Sequence, residues 1–261
     1  MIKPLIEVLF MSEKRKNTLL LLHDGAKEME IVLKTLNTTR QALLPQIRIL
    51  EEHHLVSHHR DMYELTTIGN LIVNQMSPLM GTLEALDTDI DYWGTHHLDS
   101  IPPHLLARIN ELGRCKIINP PLIEYFHDYN DFYEASKKSK SLFKMTTFFY
   151  PKDEIAFSEL VARNVNINLI ITPNLLEKMR TNKSAIFAEL IKDKKLHLYV
   201  YPTEMGFLSI SYNDYYTKIR LLKNGNEFSH KLALCSNPES FKWGKELFEH
   251  YLKEATPISE L

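Results

Sequence analysis

The segment Asn37–Val56, read Asn-Thr-Thr-Arg-Gln-Ala-Leu-Leu-Pro-Gln-Ile-Arg-Ile-Leu-Glu-Glu-His-His-Leu-Val, constrains the fold of this 261-residue chain more than any other stretch. Leu43, Ile47 and Leu50 recur at helical spacing and define one apolar stripe. Arg40, Gln41, Leu44, Pro45 and Arg48 fall off that stripe. Thr38 with Gln41 three residues later has the spacing of a capping box, so Thr38 is the expected N-cap. Pro45 removes one backbone bond and is expected to kink or tighten the first turn. His54 stands where many helices stop on glycine, and a side chain there must accept or avoid a left-handed turn.

The flanking residues place this helix in a larger pattern. Ser12 is a fitting N-cap for a helix over Glu13–Leu22, which carries Leu19, Leu20 and Leu22 and ends at His23-Asp24-Gly25. Met29, Val32, Leu33 and Leu36 form a short second helix that stops at Asn37. Downstream, Leu55-Val56, then Ser57 to Asp61, then Met62 to Thr66 read strand, polar turn, strand. Three helices and a hairpin predict a winged helix-turn-helix over residues 1–75. In that arrangement the start of the third helix enters a major groove. The expected DNA contacts are Thr38, Thr39, Arg40, Gln41, Pro45 and Arg48 on the helix, with His58, His59 and Arg60 at the wing tip. Arg40, Gln41 and Arg48 lead as base or phosphate contacts, and Thr39 and Pro45 offer apolar contact to a thymine methyl.

Charge narrows this expectation. Residues 1–75 hold nine Lys/Arg and nine Asp/Glu, so affinity must rest on how the charges are distributed. Five histidines in the same segment would add positive charge as pH falls, which predicts tighter DNA binding near about pH 6 than near about pH 8.

From Thr67 to about Tyr92 one long helix is expected, with Ile68, Leu71, Ile72, Gln75, Leu79, Leu83 and Leu86 on its stripe and a kink or break at Ser77-Pro78. It can pack on a second domain, pair with its copy in a homodimer, or do both. Residues 76–104 read as linker, dimerisation helix and junction, with Trp93 as apolar anchor. His96, His97, Asp99 and His104 resemble metal ligands, but adjacent His side chains diverge and no metal is expected.

Residues 105–261 alternate strands and helices, the pattern of an α/β layered domain. The expected strands are 116–119, 144–150, 166–172, 196–201, 206–212, 217–222 and 231–235. The expected helices are 122–138, 153–163, 173–180, 183–193 and 238–254. The whole is an α+β winged helix-turn-helix domain, a linker helix and an α/β layered effector domain. The eight glycines are too widely spaced for phosphate-binding loops or a nucleophile elbow, and no cofactor is expected. Asp214, Arg220 and His230 form no convincing catalytic set, so no catalytic residue and no enzyme activity is expected. Phe207, Tyr212, Tyr215, Tyr216 and Arg220 combine aromatic walls with a cation and are the expected ligand-binding residues. No apolar run is long enough to span a membrane, and the N-terminus lacks a signal-peptide pattern. Cys115 and Cys235 lack metal or redox spacing and read as reduced core thiols of a cytoplasmic protein, with a regulatory disulfide between them as the alternative.

Three stretches carry a family resemblance: Leu65-Thr66-Thr67-Ile68-Gly69, Tyr92-Trp93 through Ile101-Pro102, and Phe241-Lys242-Trp243-Gly244-Lys245-Glu246-Leu247-Phe248-Glu249-His250-Tyr251. On these the chain resembles archaeal winged-helix transcription regulators with a methanogenesis-regulator effector domain, over nearly its whole length. The resemblance implies a cytoplasmic homodimer that binds promoter or operator DNA and identifies no ligand; an unknown small-molecule effector is a further partner that the second domain could take. The effector domain also resembles the phospholipase D-like sensor fold of sugar-sensing TrmB-type regulators. The enzyme form of that fold needs H-x-K-x-x-x-x-D, and no His here precedes a Lys by two positions. The resemblance therefore implies binding without catalysis. A protein-docking winged domain and a C-terminal small-molecule enzyme are the alternatives.

Overall fold

The computed structural model describes residues 4–121, 129–182 and 185–261. The chain divides into two compact units, Met1–Met80 and Gly81–Leu261.

The first unit opens with a helix absent from the sequence reading, α1 (Leu5–Phe10), which buries Val8 and Leu9. Next come α2 (Glu13–Leu22), β1 (Lys27–Glu28), α3 (Met29–Thr35) and α4 (Arg40–Glu52). The hairpin β2 (Val56–His59) and β3 (Met62–Leu65) follows, and then α5 (Thr67–Leu86). The sheet order is β1-β3-β2, all antiparallel. One core gathers Leu19 and Leu22 of α2, Met29 and Val32 of α3, Leu43, Ile47 and Leu50 of α4, and Tyr63 of the hairpin. This is a winged helix-turn-helix. Ser12 caps α2 by accepting from the Arg15 N–H.

Two helix ends fix the path into and out of α4. Asn37 takes a left-handed conformation (φ 46°), and the Thr38 N–H reaches back to the Leu33 carbonyl. That closes α3 in a Schellman turn and makes Thr39, rather than Thr38, the N-cap of α4. At the other end His54 takes φ 57° and the Leu55 N–H bonds the Leu50 carbonyl, the same motif. Histidine thus accepts the turn that glycine usually supplies. Pro45 sits inside an α4 that continues through it, and Pro78 inside an α5 that is not split.

The second unit is an α/β/α layered domain. Its helices are α6 (Ile90–Thr95), α7 (Pro103–Leu106), α8 (Asn130–Ser136), α9 (Asp153–Ala162), α10 (Pro173–Thr181), α11 (Ala185–Lys192) and α12 (Pro238–Leu252). Its strands are β4 (Lys116–Ile118), β5 (Ser141–Thr146), β6 (Asn166–Ile171), β7 (Leu196–Val200), β8 (Phe207–Tyr212), β9 (Thr217–Leu221), β10 (Leu232–Cys235) and β11 (Thr256–Ile258). Among the described residues these form one sheet in the order β11-β7-β6-β5-β8-β9-β10-β4. β5, β6 and β7 run parallel, as βαβ crossovers require, and the other pairings are antiparallel. One face packs on α12, Tyr92, Trp93 and Leu105. The other packs on α8 to α11.

Three expectations are corrected here. Residues 81–104, expected as a junction, belong to the second unit, because Tyr92, Trp93 and Ile101 are buried in its core. Strand β11, which pairs with β7 at the sheet edge, was not anticipated. Cys115 and Cys235 are buried as expected but joined in a disulfide, because β4 and β10 pair antiparallel and bring positions 120 residues apart side by side. The helix expected over 122–138 begins at Asn130 among the described residues; 122–128 lie outside them. No described helix is long and apolar enough to cross a membrane.

Candidate nucleic-acid interface

The outer face of α4 is built by the residues its core stripe leaves out. Thr39, Arg40, Gln41, Pro45 and Arg48 are all exposed, and Thr38 is half-buried. Positions 40, 41, 45 and 48 follow one another around the turns opposite Leu43, Ile47 and Leu50, so burial of the stripe points them outward. Thr39 accepts the Ala42 N–H at 3.4 Å. The remaining N–H groups of the first turn lie at the positive end of the helix dipole.

The wing stands beside this end. Arg40 donates from Nη2 to Asp61 Oδ1 at 3.0 Å, with more than half of each side chain exposed. Such a pair holds weakly, and Arg40 can trade Asp61 for a phosphate at little cost. Asp61 lies in the two-residue turn between β2 and β3, and Arg60 at that tip takes φ 57°. Below them Tyr63 is buried; burial, reinforced by the Asp61 carboxylate, raises its phenol above the ordinary value against the pull of Arg40.

The wing histidines divide. His58 bonds Glu51 of α4 through Nδ1 and stacks on Tyr63 with ring centres 5.2 Å apart. It ties wing to helix while its side chain stays about half exposed. His59 and Arg60 are exposed at the tip. Sequence reasoning missed Arg15, which is buried in the same unit. Its guanidinium donates to the Val8 and Glu7 carbonyls and to Gln46 Oε1 at 2.6, 3.1 and 2.7 Å, so it clamps α1 and α4 onto α2. An arginine between two leucine-bearing helical segments reads as surface charge from sequence, and only its contacts with the Glu7 and Val8 carbonyls of α1 reveal its use.

In the second unit the five expected ligand residues do not share a site. Phe207 packs on Tyr251, and Tyr212 stacks on Phe143 at 4.6 Å, both within the core that faces α12. Arg220 points to the opposite face, since Ser209 is its cross-strand partner and side chains alternate along a strand. Tyr215 is exposed, and Tyr216 packs against the core under α8 to α11. Asp214 is likewise apart from Arg220 and His230: its carboxylate accepts the Lys140 N–H at 2.8 Å. His96 is buried and occupied by the Tyr92 carbonyl (2.6 Å) and Ser229 Oγ (2.8 Å), while His104 rests against His250.

Residues 3–84 match the family "Methanogenesis regulatory protein FilR1, N-terminal domain", and residues 125–254 match "Methanogenesis regulatory protein FilR1, middle domain". The chain belongs to the FilR1 methanogenesis-regulator family. A curated FilR1 relative from Methanothrix harundinacea (strain 6Ac) is 26% identical over 262 residues, covering 98% of this chain. The chain spans 58% of that relative's length. Among solved structures, TrmBL2, an archaeal chromatin protein whose structure shows a novel mode of DNA binding, aligns over 97% of both chains with 15% identity and a TM-score of 0.45. Phosphatidylserine synthase from Haemophilus influenzae Rd KW20 aligns over 49% of this chain and 36% of its own, with 11% identity and a TM-score of 0.37. In FilR1-family terms the winged unit falls within the N-terminal-domain match, and most of the eight-stranded sheet within the middle-domain match.

Proposed function

We propose that this chain is a DNA-binding transcriptional regulator, working as a homodimer in the cytoplasm, whose second unit senses a small molecule and has no catalytic role. The observation that carries the reading is the outward face of α4. Its core stripe is satisfied within the unit, yet Arg40, Gln41, Pro45 and Arg48 stand exposed beside a wing tipped by His59 and Arg60. A helix start with free N–H groups, two arginines and an amide is fitted to phosphate and base edges. Family membership agrees with a regulatory role.

The dimer reading rests on α5. Val73 and Met76 turn inward, whereas Ile68, Leu71 and Leu79 are 50, 67 and 48% exposed at helical spacing. A second copy of the same stripe would cover them, as in a short coiled-coil seam. A sensor can act on DNA only by favouring one of two arrangements of the paired wings.

The test is binding of the full chain to its own upstream DNA by fluorescence anisotropy at several salt concentrations. Specific binding that weakens with salt is expected, and Arg40→Ala should weaken it by ~1–3 kcal/mol if Arg40 reads a base. Equal loss on random DNA would assign Arg40 to the backbone. Absence of salt-dependent binding would leave the exposed helix to a protein partner.

A further inference from the structure

Three loops of the second unit meet at the edge of the sheet where its parallel strands finish. β5, β6 and β7 end there at Thr146, Ile171 and Val200, and antiparallel pairing brings the start of β8 and the end of β9 to the same edge. In open α/β sheets ligands bind outside this edge, because connections that leave it for opposite faces part there and open a crevice. Here residues 97–103, the 204–206 stretch between β7 and β8, and Asn226 between β9 and β10 surround a cavity of about 500 Å³. The last turn of α12 adds a wall through His250. The volume falls within the roughly 300–1,000 Å³ of small-molecule sites.

The lining of this cavity carries one sign of charge. Asp99 and Glu204, from two different loops, line it and are exposed, and no lysine or arginine lines it. The Glu204 carboxylate accepts an amide hydrogen of Asn174 at 2.9 Å, and neither it nor Asp99 has an ion-pair partner among the described residues. The buried lining is apolar, from Pro102, Met205 and Tyr251. The Tyr251 hydroxyl is already used, donating to the Ser100 carbonyl at 2.7 Å. The His97 N–H holds its loop to the end of β9 by bonding the Leu222 carbonyl at 2.9 Å. The His97 ring lines the cavity, and its Nε2, shielded from solvent, has no hydrogen-bond partner among the described residues. With the ring proton on Nδ1, Nε2 is an unmet acceptor that a donor entering beside it would satisfy.

The histidines and acids of residues 96–104, which resembled metal ligands in sequence, are dispersed by the fold. His96 is occupied by Tyr92 and Ser229, and His104 rests against His250. Among the described residues no three His, Cys, Asp or Glu side chains converge as a metal ion requires. What the cavity offers is two carboxylates, an unmet acceptor and an apolar floor. An anion would be repelled by both carboxylates, and a neutral apolar molecule would leave them unused. An alkyl chain on the floor with an ammonium group at the acidic rim meets both kinds of surface. We propose that this cavity binds a small organic cation, an alkyl ammonium ion whose methylenes lie on Pro102, Met205 and Tyr251 and whose charge meets Asp99 and Glu204. The proposal names the ligand class of the second unit and rests on the sensor reading only for the consequence at DNA.

The experiment uses the full chain without DNA, titrated calorimetrically with putrescine, a short alkyl diammonium ion. The diol of the same carbon chain and sodium chloride at matched ionic strength are the controls. Saturable binding of the diamine alone is expected. Asp99→Asn and Glu204→Gln change exposed side chains and should leave the fold intact. Each should lower affinity about fivefold, the loss of one partly exposed ion pair. Diol binding as tight as the diamine, no binding above the salt control, or wild-type affinity in both variants overturns the site. DNA affinity is then read with and without putrescine, and the variant carrying both substitutions reports what putrescine does to the DNA itself. A response in the wild type that this variant lacks joins the site to DNA. Putrescine binding without that difference keeps the site and removes the sensor reading.

Discussion

The two units treat charge in opposite ways. The winged unit carries Arg40, Arg48, His59 and Arg60 on its surface, where the one arginine it buries, Arg15, is fully engaged by carbonyls and Gln46. The effector unit buries Lys144, Lys218 and Arg220 on a sheet face. Exposed charges cost little, move freely and are screened by salt, which suits a long polyanion met over a broad surface. Buried charges are expensive and fixed in direction, so each must be met by a partner inside the fold, as Asp153 meets Lys144. The sign of charge is the same in both places; depth decides how much removing a partner costs the fold.

The largest effect should come from breaking the buried side of this contrast. Asp153→Ala leaves the Lys144 ammonium without its carboxylate and should destabilise the chain by ~3–5 kcal/mol in urea unfolding. Adding Lys144→Met should recover much of that loss, since a matched apolar pair needs no neutralisation. If Asp153→Ala unfolds like the wild type, the burial of this pair has no energetic weight.

Removing exposed charge should spare stability and change binding. Arg48→Ala should shift unfolding by no more than about 0.5 kcal/mol. If Arg48 holds a phosphate, the salt slope for DNA should fall by about 1. A stability loss comparable to that of Asp153→Ala would break the contrast from the other side.

Acid should push the two units in opposite directions. Burial holds the His96 and His230 imidazoles below their ordinary value. The unfolded chain then takes up their protons first, so this part of the stability is complete above about pH 6.5 and is lost as pH falls from there toward the folded values. The histidine content of residues 1–75 predicts the opposite trend for DNA affinity, which should rise between about pH 8 and about pH 6. Thermal unfolding and anisotropy on the same samples read both trends; stability that rises with acid would refute the buried-histidine half.

The smallest effect sharpens the interface. Asp61→Asn releases Arg40 and removes one acidic group from the wing. Stability should change by less than ~1 kcal/mol, while DNA binding should tighten. Weaker binding would mean that Asp61 holds Arg40 in its working position.

What the sequence made legible follows the range of the forces involved. The α4 stripe, the Ser12 cap and the hairpin are local patterns, and all three are present in the structure. Two adjacent threonines could each cap α4, and the choice fell to Thr39 because the preceding Schellman turn uses the Thr38 N–H. The aromatic and cationic group around 207–220 looked like one site because its members are neighbours in sequence. A register irregularity between Phe207 and Ser209 brings Phe207 to the same face as Tyr212, and strand alternation sends Arg220 to the other. That Lys144 and Lys218 share one buried sheet face, on either side of Ser211, was hidden because β8 comes to lie between β5 and β9 only in the folded sheet. The Cys115–Cys235 bond was hidden for the same reason, being set by the pairing of β4 with β10.

The claim that the first turns of α4 enter DNA is tested most directly by affinity cleavage. An iron chelate attached to a Gln41→Cys variant of the full chain should cut its upstream DNA in two clusters about one helical turn, ~34 Å, apart. Cleavage no stronger than from the same chelate placed at Lys192 in the effector unit would contradict the account.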